Sequence, residues 1–208
     1  QSSLAVGVIS ATGRTIDSLT SRFAIADAIQ IDAPINRGNS GGALFDAAGR
    51  VIGITAQIQS TSGTAEGVGL AIPINIAARA IHDLLRFGKV EYAYLGIESL
   101  DVTPGLARSL ELPVERGALV TTTVPGSPAA RAQIRGGTSV KRVNGIDVTV
   151  GGDVSVGIAG KPVRSSIDVG RIVTRTLRPG QTAGVTVVGA DGRRTVQVTL
   201  ASRPTRAE

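Results

Sequence analysis

The residues most able to do chemistry are Gly38-Asn39-Ser40-Gly41-Gly42, where one hydroxyl stands among backbone positions free of side chains. A serine that attacks an amide carbonyl must be held rigidly beside main-chain N–H groups that stabilise the oxyanion forming on that carbonyl. Gly38 can turn its N–H inward because it has no side chain, and Ser40 supplies its own, so two donors can converge on one point. Gly41 and Gly42 let a substrate backbone come close. Taken alone, the pentapeptide reads equally well as a glycine-rich turn.

A serine hydroxyl is a poor nucleophile at neutral pH unless a base takes its proton. The single histidine, His82, falls on the polar side of a predicted amphipathic helix over 75–87, with Asn75, Arg79, Asp83 and Arg86; Ile76, Ala77, Ala80, Ile81, Leu84 and Leu85 lie opposite. His82 is therefore expected in solvent, away from the sheet that carries Ser40. The only lysines are Lys89, in the linker segment, and Lys141 and Lys161, in the second unit, so no Ser-Lys pair is expected. The chain by itself is expected to be nearly inert.

The elements that must position Ser40 are short and β-rich. Apolar, β-branched runs at Leu4–Ser10 and Ala28–Ile31 read as strands, with a polar stretch between them. After the glycine loop, 43–45 and 51–58 form a hairpin about an Asp46–Gly49 turn, and 68–72 a further strand. Gly88 ends the helix, and a linker is placed near 89–93. Beyond it come a Thr-capped helix over 103–110, strands at 118–124, 140–143, 154–158, 185–188 and 195–200, and a helix over 166–177. Val143–Val148 and Ile158–Val163 share an aliphatic residue, a turn glycine and a closing valine, as two successive hairpins would. Two domains are expected, 1–90 and 94–204.

Composition narrows the partners. Aromatic residues make up 2% of the 208, which removes a stacking platform for nucleic acid. The net charge of +6 is spread over 19 Arg and 3 Lys, adjacent only at Lys141-Arg142 and Arg193-Arg194, so no basic stripe forms. Without cysteine there is neither a disulfide framework nor a thiolate metal site, and no metal or cofactor is expected. No apolar run reaches the ~20 residues that span a bilayer. Starting at Gln1 with no signal peptide, the chain reads as a piece of something longer.

The glycine loop sits between Asp32-Ala33-Pro34-Ile35-Asn36 and an immediate hairpin, followed by Gly67-Val68-Gly69-Leu70-Ala71-Ile72-Pro73. This run, from about Val6 to Gly88, resembles the second barrel of the HtrA (Deg) family of trypsin-like serine proteases. The resemblance implies a mainly β fold, with Ser40 as nucleophile and Gly38 and Ser40 as the oxyanion hole. It also implies a pocket lined by Ile35, Ile54, Thr55, Val68, Gly69, Leu70 and Ala71, suited to small aliphatic residues. Asn39 stands where most trypsin-like relatives carry Asp, as in the HtrA subgroup. In that family the triad His and Asp lie upstream of the serine, in a part of the protein this chain does not contain.

The second unit resembles the α+β PDZ domain that follows such proteases. Tyr94-Leu95-Gly96-Ile97 is similar to its carboxylate-binding loop, so Leu95, Gly96 and Ile97 are implied to grip a peptide C-terminus while the helix over 166–177 walls the groove. Two departures stand out: Gly137-Thr138 lacks the usual Asp, and 138–153 reads as an inserted hairpin after which Asp153 restores a Gly-Asp pair. The family implies cleavage of unfolded or misfolded proteins, an extracytoplasmic location in the periplasm or cell envelope, homo-oligomers (trimers in full-length relatives), and any membrane anchor confined to the part upstream. A non-catalytic peptide-binding scaffold is the alternative.

Overall fold

The computed structural model describes residues 4–16, 25–35, 38–58 and 69–204. The described residues divide into two compact units, one within 1–90 and the other 91–204. No helix among the described residues is long and apolar enough to cross a membrane.

The first unit is an open antiparallel sheet of β1 (Ile9–Ile16), β2 (Ile25–Ile31), β3 (Ala43–Phe45), β4 (Val51–Ile58) and β5 (Gly69–Pro73), in the order β1-β2-β5-β4-β3. Ile29, Ile31, Ala33, Ile35 and Ala71 form its main buried cluster, while Ala28 and Leu70 form a second. The Asp46–Gly49 turn joins β3 to β4: the Asp46 carboxylate accepts from the Ala48 and Arg50 amides, both at 2.9 Å, and Gly49 takes φ +75°, where a side chain would be strained.

Helix α1 (Ile74–Phe87) packs on β4 and β5 and stops at Gly88, whose φ of +69° lets its N–H return to the Leu84 carbonyl at 2.9 Å. Its orientation corrects the sequence expectation. Ala77 and Asp83 are buried, whereas Ile81, Leu84, Leu85 and Phe87 are exposed, Leu85 at 85%. The stripe with the most apolar residues is thus not the one laid against the sheet. The first strand also differs: pairing with β2 runs from Ile9 to Ile16, through the stretch expected to be a connection. Leu4, Val6 and Val8 lie exposed before it, attached through mutual bonds between Val8 and Asp32.

In the second unit, β7 (Ile97–Val102), β8 (Gly117–Thr123), β11 (Val154–Ile158), β13 (Thr182–Gly189) and β14 (Gly192–Thr199) form one antiparallel sheet in the order β14-β13-β11-β8-β7, with β12 (Lys161–Pro162) on β11. β6 (Ala93–Tyr94) pairs with β15 (Ala201–Ser202), closing the unit's two ends, and the Arg203 guanidinium stacks 4.7 Å from the Tyr92 ring centre. Helices α2 (Pro104–Leu110), α3 (Pro128–Arg131) and α4 (Ser166–Thr176) are each capped by a hydroxyl, from Thr103, Ser127 and Ser165. Two cores result. One gathers Leu95, Val120, Ile158, Val185 and Val187 under α4; the other gathers Val102, Leu110, Leu119 and Val154 with Val148 and Val150.

Those last two valines belong to a separate hairpin, β9 (Ser139–Val143) with β10 (Ile146–Val150), whose turn holds Asn144 and Gly145 at φ +50° and +81°. The β11–β12 turn repeats this with Ala159 and Gly160 at +50° and +74°. Such primed turns match the right-handed twist of paired strands, which accounts for the repeated sequence pattern.

Candidate active site and peptide groove

The loop carrying Ser40 is shaped from β4. Thr55, buried on that strand, donates its amide to the Gly42 carbonyl at 2.9 Å and receives the Gly41 amide at 2.7 Å. Its hydroxyl lies in hydrogen-bond contact with the Asn39 carbonyl and 3.1 Å from that of Gly42. The Gly42 amide closes the turn onto the Asn39 carbonyl at 3.0 Å. Both sides of Ser40 are therefore held by one residue across the hairpin.

The glycines are needed at two places. Gly41 takes φ +87°, and a Cβ on Gly42 would stand 2.9 Å from the Asn39 carbonyl oxygen. Ser40 and Gly38 are exposed, and among the described residues neither amide donates to a backbone carbonyl. Gly38 takes φ +97°. Asn36 and Arg37 lie outside the described residues.

Beside the loop lies an open cavity of about 880 Å³, bounded by Gly38, Asn39 and Gly42, by Ile31, Ala33 and Ile35, by Leu44 and Phe45, and by residues 4–9. Of the residues expected to line a substrate pocket, Ile35 and Thr55 reach it. Leu70 and Ala71 are instead core residues of β5, Gly69 is buried with Ile31 and Ile35 filling the space a Cβ would need, and Ile54 does not border the cavity. Position explains this: β5 is central in the sheet, with neighbours on both sides, and its consecutive residues Gly69, Leu70 and Ala71 are all buried. Val68 lies outside the described residues. Sequence reading missed the second role of Thr55, because a β-branched residue in a strand gives no sign that its hydroxyl clamps a turn 13 to 16 residues away.

His82 is exposed, its side chain at 61%, with Nδ1 3.4 Å from Asp83 Oδ1. Among the described residues no histidine or lysine side chain hydrogen-bonds Ser40, and no cluster of His, Cys, Asp or Glu is arranged to hold a metal.

In the second unit Leu95 is buried and Gly96, also buried, takes φ +83°. A Cβ on Gly96 would lie 2.2 Å from that of Ser127, so only glycine fits. The carbonyls of this loop are engaged from one side: Leu95 accepts from the Ala129 amide at 2.9 Å, and Gly96 accepts from the Val124 amide at 3.0 Å and the Ser127 hydroxyl at 3.2 Å. Outside the strand ladders the amides of Leu95, Gly96 and Ile97 donate to no backbone carbonyl among the described residues. The unpaired edge of β7 runs on from them, with α4 beside it.

Residues 1–54 match the trypsin-like peptidase domain. Along 97% of its length the chain is 37% identical to a probable periplasmic serine endoprotease DegP-like of Rhizobium meliloti (strain 1021), covering 36% of that protein. It is 39% identical over 139 residues to the periplasmic pH-dependent serine endoprotease DegQ of Escherichia coli (strain K12), covering 67% of this chain and 30% of that protein. The solved HtrA-type protease AlgW with tripeptide superposes over 95% of this chain and 60% of its own with a TM-score of 0.73 at 36% identity. The chain belongs to the HtrA family of trypsin-like serine proteases. It spans 36% to 44% of the length of the curated relatives that it matches over 97% of its own. Within this HtrA chain the Ser40 loop falls inside the trypsin-like match, and the Gly96 loop lies beyond it.

Proposed function

We propose that this chain is the nucleophile-bearing part of an HtrA-type serine endopeptidase joined to a PDZ domain that captures peptide C-termini. Ser40 attacks the scissile carbonyl of an unfolded polypeptide, and the Gly38 and Ser40 amides receive the oxyanion. The observation that carries this reading is the Thr55-clamped turn, in which Ser40 is exposed and those two amides have no backbone acceptor among the described residues. A histidine and its carboxylate partner come from outside the described residues of this chain. The cavity beside the loop seats an apolar side chain against Ile35.

For the second unit, support comes from the Gly96 loop, whose carbonyls are engaged from one side, the position of β7 at the end of its sheet, and two solved relatives, the HtrA-type protease AlgW with decapeptide and with tripeptide. The periplasmic designation of the relatives supports an extracytoplasmic site of action.

A fluorophosphonate probe applied to the full-length encoded protein tests the catalytic reading. It labels Ser40, and Ser40→Ala abolishes the label. A folded protein that takes no label sinks the hydrolase and leaves peptide capture as the function.

A further inference from the structure

Rested on the proposed capture of a peptide C-terminus, the geometry of β7 determines which residue of the peptide meets which residue of the groove. With the terminal carboxylate at the amides that open β7, the captured chain runs antiparallel to the strand. Its last residue stands opposite Ile97, the penultimate opposite Glu98, and the third from last opposite Ser99. Opposed residues of an antiparallel pair share a face.

The two faces of β7 differ in chemistry. Ile97 packs on the core cluster that contains Val169, Ile172 and Val173 of α4, and Ser99 is opposite Val120 of the same cluster. Asp101, on that face too, accepts from the Ser166 amide at 2.7 Å and from its hydroxyl at 2.5 Å, so its carboxylate serves the start of α4. On the other face Leu100 is opposite Leu119, and Val102 packs in the second core. Glu98 shares this outer face, opposite Thr122. It is exposed, and among the described residues its carboxylate accepts no hydrogen bond.

We infer that Glu98 determines specificity by selecting a peptide with Lys or Arg at the penultimate position. Opposite charges facing one another across two strands attract, and like charges repel. The preference is local, because the chain's net charge of +6 gives a long-range field that favours acidic peptides. An exposed pair contributes little, so replacing a penultimate Lys by Glu, which turns attraction into repulsion, changes Kd about three- to tenfold at low salt.

The test is fluorescence anisotropy of the 208-residue chain with labelled decapeptides that end in Lys-Val, Glu-Val, or Lys-Val carrying a C-terminal amide. The Lys-Val peptide binds tighter than Glu-Val, the ratio shrinks toward one at high salt, the amide loses binding, and E98K reverses the order. Equal affinities for Lys-Val and Glu-Val, with binding still dependent on the free carboxylate, overturn the role of Glu98 and leave the capture reading standing. If a chain with native circular dichroism binds none of the three in a carboxylate-dependent way, the capture reading falls and the Glu98 inference with it.

Discussion

Removing Arg194 should destabilise the second unit more than removing its partner Asp153, and the structure sets the sizes. Asp153 is 1% exposed, and its carboxylate accepts from the Arg135 amide at 2.8 Å and from Arg194 Nη1 and Nη2 at 3.0 and 2.6 Å. The same guanidinium reaches the Gln133 carbonyl at 3.1 Å, and the Arg194 side chain keeps 28% exposure. The hydrogen bond to Asp153 holds Arg194 above the ordinary range of an arginine, which accords with a firm pair. Breaking a buried pair by removing one member costs about 3–5 kcal/mol, because the other charge is left without compensation. Asp153→Ala frees a cation that can still turn to water and to Gln133, so its cost lies near the bottom of that range, about 3 kcal/mol. Arg194→Ala strands a carboxylate that is 1% exposed in the parent and keeps one amide donor, and costs about 4–5 kcal/mol. The double variant costs less than the sum, since neither charge is then stranded. Urea unfolding followed by tyrosine fluorescence measures this selectively, because both tyrosines, Tyr92 and Tyr94, lie in the second unit. An Arg194→Ala chain within 1 kcal/mol of the parent, or cheaper to make than Asp153→Ala, refutes the reasoning.

Three further outcomes follow from single contacts. The Ser155 hydroxyl is buried without a hydrogen-bond partner among the described residues, so Ser155→Ala should be neutral or stabilising by up to about 1 kcal/mol in the same urea assay; a loss above 1 kcal/mol means that the hydroxyl is satisfied. The Asp46 carboxylate is held below its ordinary value of 3.8 by the Arg50 amide first and the Arg50 side chain next, so its contribution is complete above that value and is lost as pH falls through the lower folded one. Parent and Asp46→Asn chains should therefore differ in protection of the Arg50 amide from exchange at pH 6 and converge as the pH approaches 2; a constant difference across that window contradicts the linkage. Leu4, Val6 and Phe45 expose apolar surface around the cavity, so the chain in isolation should self-associate, and L4S/V6S/F45S should shift it toward monomer by light scattering; a stable parent monomer counts against this.

What could be read from the sequence was local. The glycine loop, the hairpin after it, the Thr103 cap and the two turns at 144–145 and 159–160 depend on residues within a few positions of one another, and each residue type has a backbone reason to be there. The exposure of His82 was legible as well, from its place among polar neighbours. The faces of α1 were not, because a helix laid on a small sheet buries whatever the sheet's own geometry accepts; here that is Ala77 and Asp83. Nor was the true start of β1, where pairing with β2 overrode the apolar run before it. Asp153–Arg194 and Asp101–Ser166 join residues 41 and 65 positions apart, and no periodicity reports such pairs.

The Ser40 turn and the Gly96 loop solve one problem in two ways. In the proposed function each would present main-chain N–H groups to an anionic oxygen, and in each the carbonyls of the loop are occupied from behind: Thr55 holds those of Asn39 and Gly42, while Ser127, Val124 and Ala129 hold those of Leu95 and Gly96. A carbonyl tied in this way cannot rotate toward the ligand and replace its amide, a peptide flip that would turn an attractive site into a repulsive one. Thr55→Val keeps the backbone bonds of Thr55 and loses only its hydroxyl, so it weakens this hold at the Asn39 carbonyl without removing a strand residue. Gly96→Ala has no such mild form, since the added carbon meets Ser127 and drives the loop off its support. The Ser40 turn is thus tunable by one hydroxyl, whereas the Gly96 loop depends on glycine being there at all.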